Sequence, residues 1–364
     1  MNYTWDIKEL KRHKASAFFN GEKEAYSFYD RMIRLYLDKK PKYIKEPKMT
    51  FDLLMGEYNY FNDLFKTDLF DEIISLYNLI NDENVFSNTI ITLEQNTINF
   101  NDTINLTSQY LKNILSAQDY NKIKNFFLPD RNLLNTKNNP DSSRSYEYCT
   151  GTCFIAPDEV KSYINMYVSN TYMDIETLTH ELMHALFNQL YYDQFIINKN
   201  NETHYLYELE GTYASMLANK YITDELNQNE GLKLSKIDTN CIFNSSYLLY
   251  LYNTLFITSD KNKFNLIEMN NKVHDEMNID DEITAENVQE LLNINPFELY
   301  TDILSYLISL NVFTNLPDPK EGLEAIKKFK KMDNSKLQDN ISHTLIEDSI
   351  VLLEKNYQKT LHIK

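Results

Sequence analysis

The chain has 364 residues, which is enough for one large core or for two lobes. Its formal net charge is −17 and its pI is near 4.9. This balance argues against a nucleic-acid partner, because phosphate binding depends on clustered Lys and Arg. Only 6 glycines and 8 prolines interrupt the chain, and apolar residues recur with a period of about 3.6, so we expect a mainly α-helical protein with few strands.

No apolar segment follows the positively charged N-terminal residues, and no later run approaches the roughly 20 apolar residues of a membrane span. Cys149, Cys153 and Cys241 are few and odd in number, as is typical of a reducing compartment. We interpret Cys149 and Cys153 as ordinary thiols, since no second cysteine cluster accompanies them. We therefore expect a cytoplasmic protein with no membrane partner; the sequence indicates no oligomeric state.

Residues 1 to about 128 repeat apolar and aromatic residues at helical spacing, which predicts a helical lobe. Residues 128–145 are dense in Pro, Asn, Asp and Ser and predict a loop or a lobe boundary. We therefore divide the chain into an N-terminal helical lobe, 1–135, and a catalytic domain, 136–364.

The segment SYINMYV, 162–168, carries β-branched and aromatic residues and predicts a strand. From Asp174 the pattern returns to a helix, which is followed by a second helix over 206–222. The apolar stripe of the first helix consists of Ile175, Leu178, Leu182, Ala185 and Leu186.

The first of these helices contains the motif HELMH. His180 and His184 are four residues apart, so their imidazoles leave one helix face about one turn apart and can bind one metal ion. Glu181 lies between them, where its carboxylate can reach a water molecule bound to that ion. Two surface or core histidines without a metal are the alternative interpretation.

A catalytic zinc site needs a third protein ligand and a position for water. The second helix offers Glu208 and Glu210, which are about 200° apart on a helical wheel, so at most one of them faces the metal. We select Glu210, because the small residues that follow it allow close packing on the HELMH helix. Glu208 then becomes a solvent-facing or supporting carboxylate, and His204 is a rival ligand.

The segments YCTGTCF (148–154), SYINMYVSNTYMDIETLTHELMHALF (162–187) and ELEGTYAS (208–215) resemble the catalytic core of the oligopeptidase F and thimet oligopeptidase family of zinc metallopeptidases. In that family a glutamate about 25 residues after the second histidine completes the zinc site, and here 210 − 184 = 26. The resemblance implies a mainly α, two-lobed zincin-type fold with a small β-sheet near the active-site helix, one Zn2+ ion and a peptide substrate.

The segment YLLYLYNTLF, 247–256, is similar to the tyrosine-rich segment that supplies this family's transition-state hydrogen bond. Tyr252 matches best by position, with Tyr247 and Tyr250 as alternatives. The chain departs from the family pattern at Met183, where glycine is usual, and at Phe187, where histidine is usual. A histidine usually precedes the tyrosine segment in the family, whereas TNCIFNSS (239–246) supplies none. The chain is also shorter than typical members, mainly ahead of the motif.

The resemblance implies a zinc-dependent endopeptidase that hydrolyses short, unstructured peptides in peptide maturation or turnover. Glu181 would accept the proton of the attacking water, and Tyr252 would donate to the oxyanion. A strand edge near 163–168 would pair with an extended substrate. Two alternatives stay open: a zinc-dependent hydrolase of a non-peptide amide, and a catalytically silent zinc- or peptide-binding protein.

Overall fold

The computed structural model describes residues 29, 51–52, 54–56, 58–59, 98–129, 133–138, 151–156, 161–191, 206, 208–276, 299–332, 341 and 343–360. The strands are β1 (Leu134–Asn138), β2 (Gly151–Ala156) and β3 (Lys161–Val168). The longer helices are α1 (Phe100–Ile114), α2 (Ala117–Ile123), α3 (Met173–Leu190), α4 (Leu209–Asp224), α5 (Glu230–Ile257), α6 (Leu266–Glu276), α7 (Leu299–Asn315), α8 (Pro319–Lys330) and α9 (His343–Thr360).

The three strands form one sheet in the order β1-β3-β2. β1 runs parallel to β3, whereas β2 runs antiparallel to it, with Cys153 opposite Ile164. The predicted strand at 162–168 is confirmed, but it is the central strand, so the expectation that it offers a free edge is wrong. Strand β1 was not predicted, because LNTKN is polar and lies in the segment predicted as a loop.

Helix α3 lies at the centre of the described core. All five residues of its predicted apolar stripe are fully buried: Ile175, Leu178, Leu182, Ala185 and Leu186. Asp174 in its first turn accepts hydrogen bonds from the backbone N–H groups of Ser169 and Asn170. Asn170 has a φ of 58°, a left-handed conformation that asparagine tolerates well. This turn fixes the direction in which the chain leaves β3 and enters α3.

Helix α4 packs along α3, and α1 and α2 also contact α3. The Tyr110 hydroxyl on α1 donates to the Leu217 carbonyl on α4 at 3.0 Å, and the Ser309 hydroxyl on α7 donates to the Leu209 carbonyl at 3.0 Å. The start of α4, which carries both candidate glutamates, is therefore held from α7 as well as from α3.

The structure confirms a mainly α fold with a small sheet packed against α3. The division into lobes at residue 135 stays a prediction, since most of residues 1–97 lie outside the described part, and β1 spans the predicted boundary. Among the described helices, none is both long and apolar enough to cross a membrane. Cys153 and Cys241 are free thiols, and Cys149 lies outside the described residues.

Candidate metal centre

The two motif histidines converge as the i, i+4 spacing predicts. Their Nε2 atoms are 2.9 Å apart, and their ring centroids are 4.6 Å apart at an interplanar angle of 77°. The side chain of His184 is 5% exposed and that of His180 is 22% exposed. His184 is therefore buried, whereas His180 is partly accessible to solvent.

Glu208 supplies a third donor atom to this pair. Its Oε2 atom is 3.2 Å from each of the two Nε2 atoms. Ligand atoms placed 2.0–2.1 Å from a tetrahedral zinc ion are about 3.3 Å apart, so the three separations suit such an ion. Burial tends to raise the pKa of Glu208, but the two adjacent histidines hold it well below its ordinary value.

The expected ligand Glu210 lies on the opposite side of His184. Its Oε1 atom is 3.1 Å from His184 Nδ1, not from Nε2. Of the two candidate glutamates, the structure therefore brings Glu208 to the paired Nε2 atoms and Glu210 to Nδ1, and which of them binds the metal stays a prediction. Glu208 precedes the first residue of α4 and has φ −85° and ψ 0°, so helical-wheel angles do not apply to it.

Gly211 leaves space beside the three donor atoms. A Cβ atom built at this position would lie 2.5 Å from His180 Nε2 and 2.7 Å from His184 Nε2. Any side chain here would therefore press against the two nitrogen atoms that face each other. The predicted small-residue contact between α4 and the HELMH helix is thus present, and it falls at the candidate metal position.

Glu181 is buried between α3 and the sheet. A Cβ atom at Gly151 of β2 would lie 2.3 Å from Glu181 Cγ, so this side chain packs directly on the strand. The backbone N–H of Cys153 donates to the Glu181 carboxylate. Burial raises the pKa of Glu181 above its ordinary value, although the two histidines and this hydrogen bond act against the shift.

His180 is supported through its other ring nitrogen by Ser215 of α4. His180 Nδ1 is 3.1 Å from Ser215 Oγ, and that hydroxyl in turn donates to Glu176 Oε1. Sequence analysis missed this support. Glu176 lies four residues before His180, on the same face of α3, and that spacing was the available signal.

His184 is supported by a buried ion pair. Glu210, 2% exposed, lies between His184 Nδ1 and Lys330, whose Nζ atom is 2.6 Å from Glu210 Oε2. Burial tends to raise the pKa of Glu210, but Lys330 and His184 together lower it. Sequence analysis missed Lys330, since no local pattern links it to the motif.

Tyr252, the expected oxyanion donor, is buried on α5. Its hydroxyl donates to Asn270 Oδ1 of α6 at 2.8 Å, and burial raises its pKa to about 12. The rings of the alternatives, Tyr247 and Tyr250, stack on each other with centroids 6.4 Å apart. The hydroxyl of Tyr252 is thus already engaged, and its catalytic role stays a prediction. The rival ligand His204 lies outside the described residues.

The sheet edge that reaches the site belongs to β2. β2 pairs with β3 on one side, and the Cys153 N–H points away from that side to Glu181. Within the described residues no strand pairs with the other side of β2. The strand edge expected near 163–168 is therefore replaced by β2, which lies beside Glu181.

No family model matches the sequence, and no curated protein matches it. Solved structures do share the fold. A Bacillus anthracis protein provisionally named oligoendopeptidase F aligns with a TM-score of 0.53 at 14% identity, covering 98% of this chain and 62% of its own. A provisionally named peptidase from Chlamydophila abortus aligns with a TM-score of 0.51 at 14% identity, covering 97% and 62%.

A further structure, also provisionally named oligoendopeptidase F, aligns with a TM-score of 0.53 at 11% identity, covering 98% of this chain and 64% of its own. This chain therefore spans about three fifths of the length of these structures. The resemblance to oligopeptidase F that the motifs indicated is confirmed at the level of the fold.

Proposed function

We propose that this protein is a zinc-dependent endopeptidase that hydrolyses short, unstructured peptides. One observation carries the proposal: the donor atoms of His180, His184 and Glu208 face one another beside Gly211, and the buried carboxylate of Glu181 follows His180 directly. The fold shared with structures named as peptidases supports it.

The donor set fits zinc. Two imidazole nitrogens and one carboxylate oxygen are a common ligand set of catalytic zinc sites, which keep a fourth position for water. Held by these residues, a zinc ion would lower the pKa of a bound water toward about 7 and would polarise the scissile carbonyl. Of the groups of His, Cys, Asp and Glu in the described part of the chain, His180, His184 and Glu208 form the one that suits a metal ion.

Glu181 is the proposed general base. Its carboxylate accepts the proton of the attacking water and returns it to the leaving amine. The Cys153 N–H holds one end of this carboxylate, and Gly151 gives it room against β2. The orientation of the base thus depends on the sheet as well as on α3.

The edge of β2 that pairs with no strand among the described residues indicates the form of the substrate. An extended peptide can pair with a strand edge through its main chain, which gives affinity that depends little on its side chains. A folded domain has few such segments to offer, so the edge favours unstructured peptides. A cytoplasmic location and roles in peptide maturation or turnover stay predictions.

A digest of a mixed peptide library, read by mass spectrometry, tests the proposal. We expect zinc-loaded wild type to cut internal bonds of many short peptides. Glu181→Gln should keep the zinc and lose roughly 10²- to 10⁴-fold in turnover, because an amide cannot accept the water's proton. Glu268→Gln, which changes an exposed glutamate on α6, is the matched control and should cut at the wild-type rate.

Two results would contradict the proposal. A zinc-loaded wild type that cuts no peptide in the library would show that peptides are not the substrate. A Glu181→Gln protein that turns over within tenfold of wild type would remove Glu181 from the chemistry. Presenting one cleaved sequence both as a free peptide and as a loop of a folded carrier then tests the size limit, and we expect the free peptide to be cut faster.

A further inference from the structure

Lys330, the last residue of α8, is a cation without solvent contact. Its side chain is 0% exposed. Removing an ammonium group from water costs several kcal/mol by order of magnitude, so a buried lysine needs close polar partners. The proposed chemistry does not use this residue, and the reason for its burial lies in what it contacts.

Lys330 Nζ contacts the segment that carries the proposed third ligand at two points. The ammonium donates to the Leu206 carbonyl oxygen at 2.9 Å and pairs with Glu210 Oε2 at 2.6 Å. Leu206 and Glu210 stand two residues before and two residues after Glu208. The Leu206 carbonyl also accepts from Leu209 N at 3.2 Å, so Lys330 joins the turn that opens α4.

The same segment contacts His184 from two sides. Glu208 Oε2 approaches its Nε2 atom, while Glu210 Oε1 approaches its Nδ1 atom. A Glu210 carboxylate that rotates away from Nδ1 would remove one contact that fixes the orientation of the imidazole, and with it the direction of Nε2 toward the metal position. Lys330 holds the second oxygen of that carboxylate and thereby restricts this rotation.

We propose that Lys330 is a positioning residue of the metal site, which holds Glu210 against His184 so that His184 Nε2 stays directed at the metal. The inference rests on the metal site of the proposed function and does not depend on which substrate is cut. Lys330 touches neither metal nor substrate; it acts through Glu210.

Lys327 on the same helix is a matched control. Its Nζ atom pairs with Asp119 at 2.9 Å and with Glu324 at 2.6 Å, and its side chain is 16% exposed. Lys327→Met therefore removes the same charge and a similar ion pair from α8 but leaves Glu210 untouched.

The experiment measures zinc affinity of the full chain by competition with a chromophoric chelator, with folding checked by circular dichroism. We expect Lys330→Met to weaken zinc binding about 10- to 100-fold, the range typical of groups that orient a metal-bound histidine. Lys327→Met should stay within about twofold of wild type. A folded Lys330→Met protein with wild-type zinc affinity would overturn the inference.

A double-mutant cycle separates positioning from a general effect on the fold. In the Glu210→Gln background, Lys330→Met should weaken zinc binding by no more than about threefold, because its route to His184 is already cut. An equal loss in both backgrounds would show that Lys330 does not act through Glu210.

The double variant also covers a Lys330→Met protein that fails to fold. Removing both members of a buried ion pair is often tolerated where removing one is not. The double variant should bind zinc within about threefold of Glu210→Gln alone, and a larger further loss would overturn the inference. If wild type binds no zinc, the proposed function fails. If wild type binds zinc and Lys330→Met binds it equally well, only the inference about Lys330 fails.

Discussion

His180 and His184 occupy one face of one helix, yet the protein supports them with different chemistry. His180 Nδ1 faces the neutral Ser215 hydroxyl, which donates a hydrogen bond to Glu176. His184 Nδ1 faces the carboxylate of Glu210, which is balanced by Lys330. The partners of His180 lie on α3 and α4, whereas those of His184 lie on α4 and α8.

Because one partner is neutral and the other is charged, we expect the two histidines to be held with different strength. A hydrogen bond to a charged group contributes about 1.5–3 kcal/mol, compared with about 0.5–1.5 kcal/mol for a neutral one. His184 is also the more buried of the two. We therefore expect His184 to be the rigid ligand and His180 the more adjustable one, on the side that is open to substrate.

Gly211→Ala should displace both histidine rings at once and so should have the largest effect on zinc binding. The added methyl group would lie within 2.7 Å of both Nε2 atoms, so the rings must move apart. Because metal ligands must be held to within about 0.5 Å, we expect zinc affinity to fall by more than about a hundredfold. Chelator competition measures it. Gly56→Ala is the control, because a Cβ atom built at Gly56 has no other atom within 4 Å. Equal zinc affinity in both variants would show that a methyl group at residue 211 does not disturb the two histidines.

Glu210→Gln should weaken the support of His184 alone. The amide keeps the shape but loses the charge that Lys330 balances, and we expect zinc affinity to fall roughly 10- to 100-fold. Asp119→Asn is the matched control, since Asp119 is a buried carboxylate paired with Lys327. The same affinity in both variants would mean that the charge at Glu210 has no role at the metal.

Ser215→Ala should give the smallest effect. It removes one neutral hydrogen bond from His180, and we expect zinc affinity to fall about two- to tenfold. Ser246→Ala, at a buried serine that donates to the Ile242 carbonyl on α5, is the control. If Ser215→Ala lost more zinc affinity than Glu210→Gln, His180 would be the more firmly held histidine, contrary to our expectation.

The parts of this site that sequence predicted are those set by local spacing. The i, i+4 histidines, the apolar stripe of α3 and the small residues of α4 follow from helix geometry, which acts within a few residues. Glu176 belongs to the same class, since it stands one turn before His180, although we did not recognise it.

The parts that sequence did not predict depend on where helices end and on which distant elements meet. Glu208 became the favoured third ligand because α4 begins one residue after it, and helix ends are uncertain by a residue or two. Lys330 reaches the site through the packing of α8 on α4. β2 became the edge strand because β1 pairs with the other side of β3. No local pattern fixes these pairings.

The zinc content of a matched pair, Glu208→Gln and Glu210→Gln, tests the central claim most directly. Each purified protein is equilibrated with a modest excess of zinc, freed of unbound metal and analysed for zinc per chain. If His180, His184 and Glu208 hold the ion, wild type should carry about one zinc, Glu208→Gln far less, and Glu210→Gln clearly more than Glu208→Gln, because an amide oxygen is a much weaker zinc ligand than a carboxylate. A Glu208→Gln protein that keeps one zinc while Glu210→Gln loses it would contradict this assignment of the site.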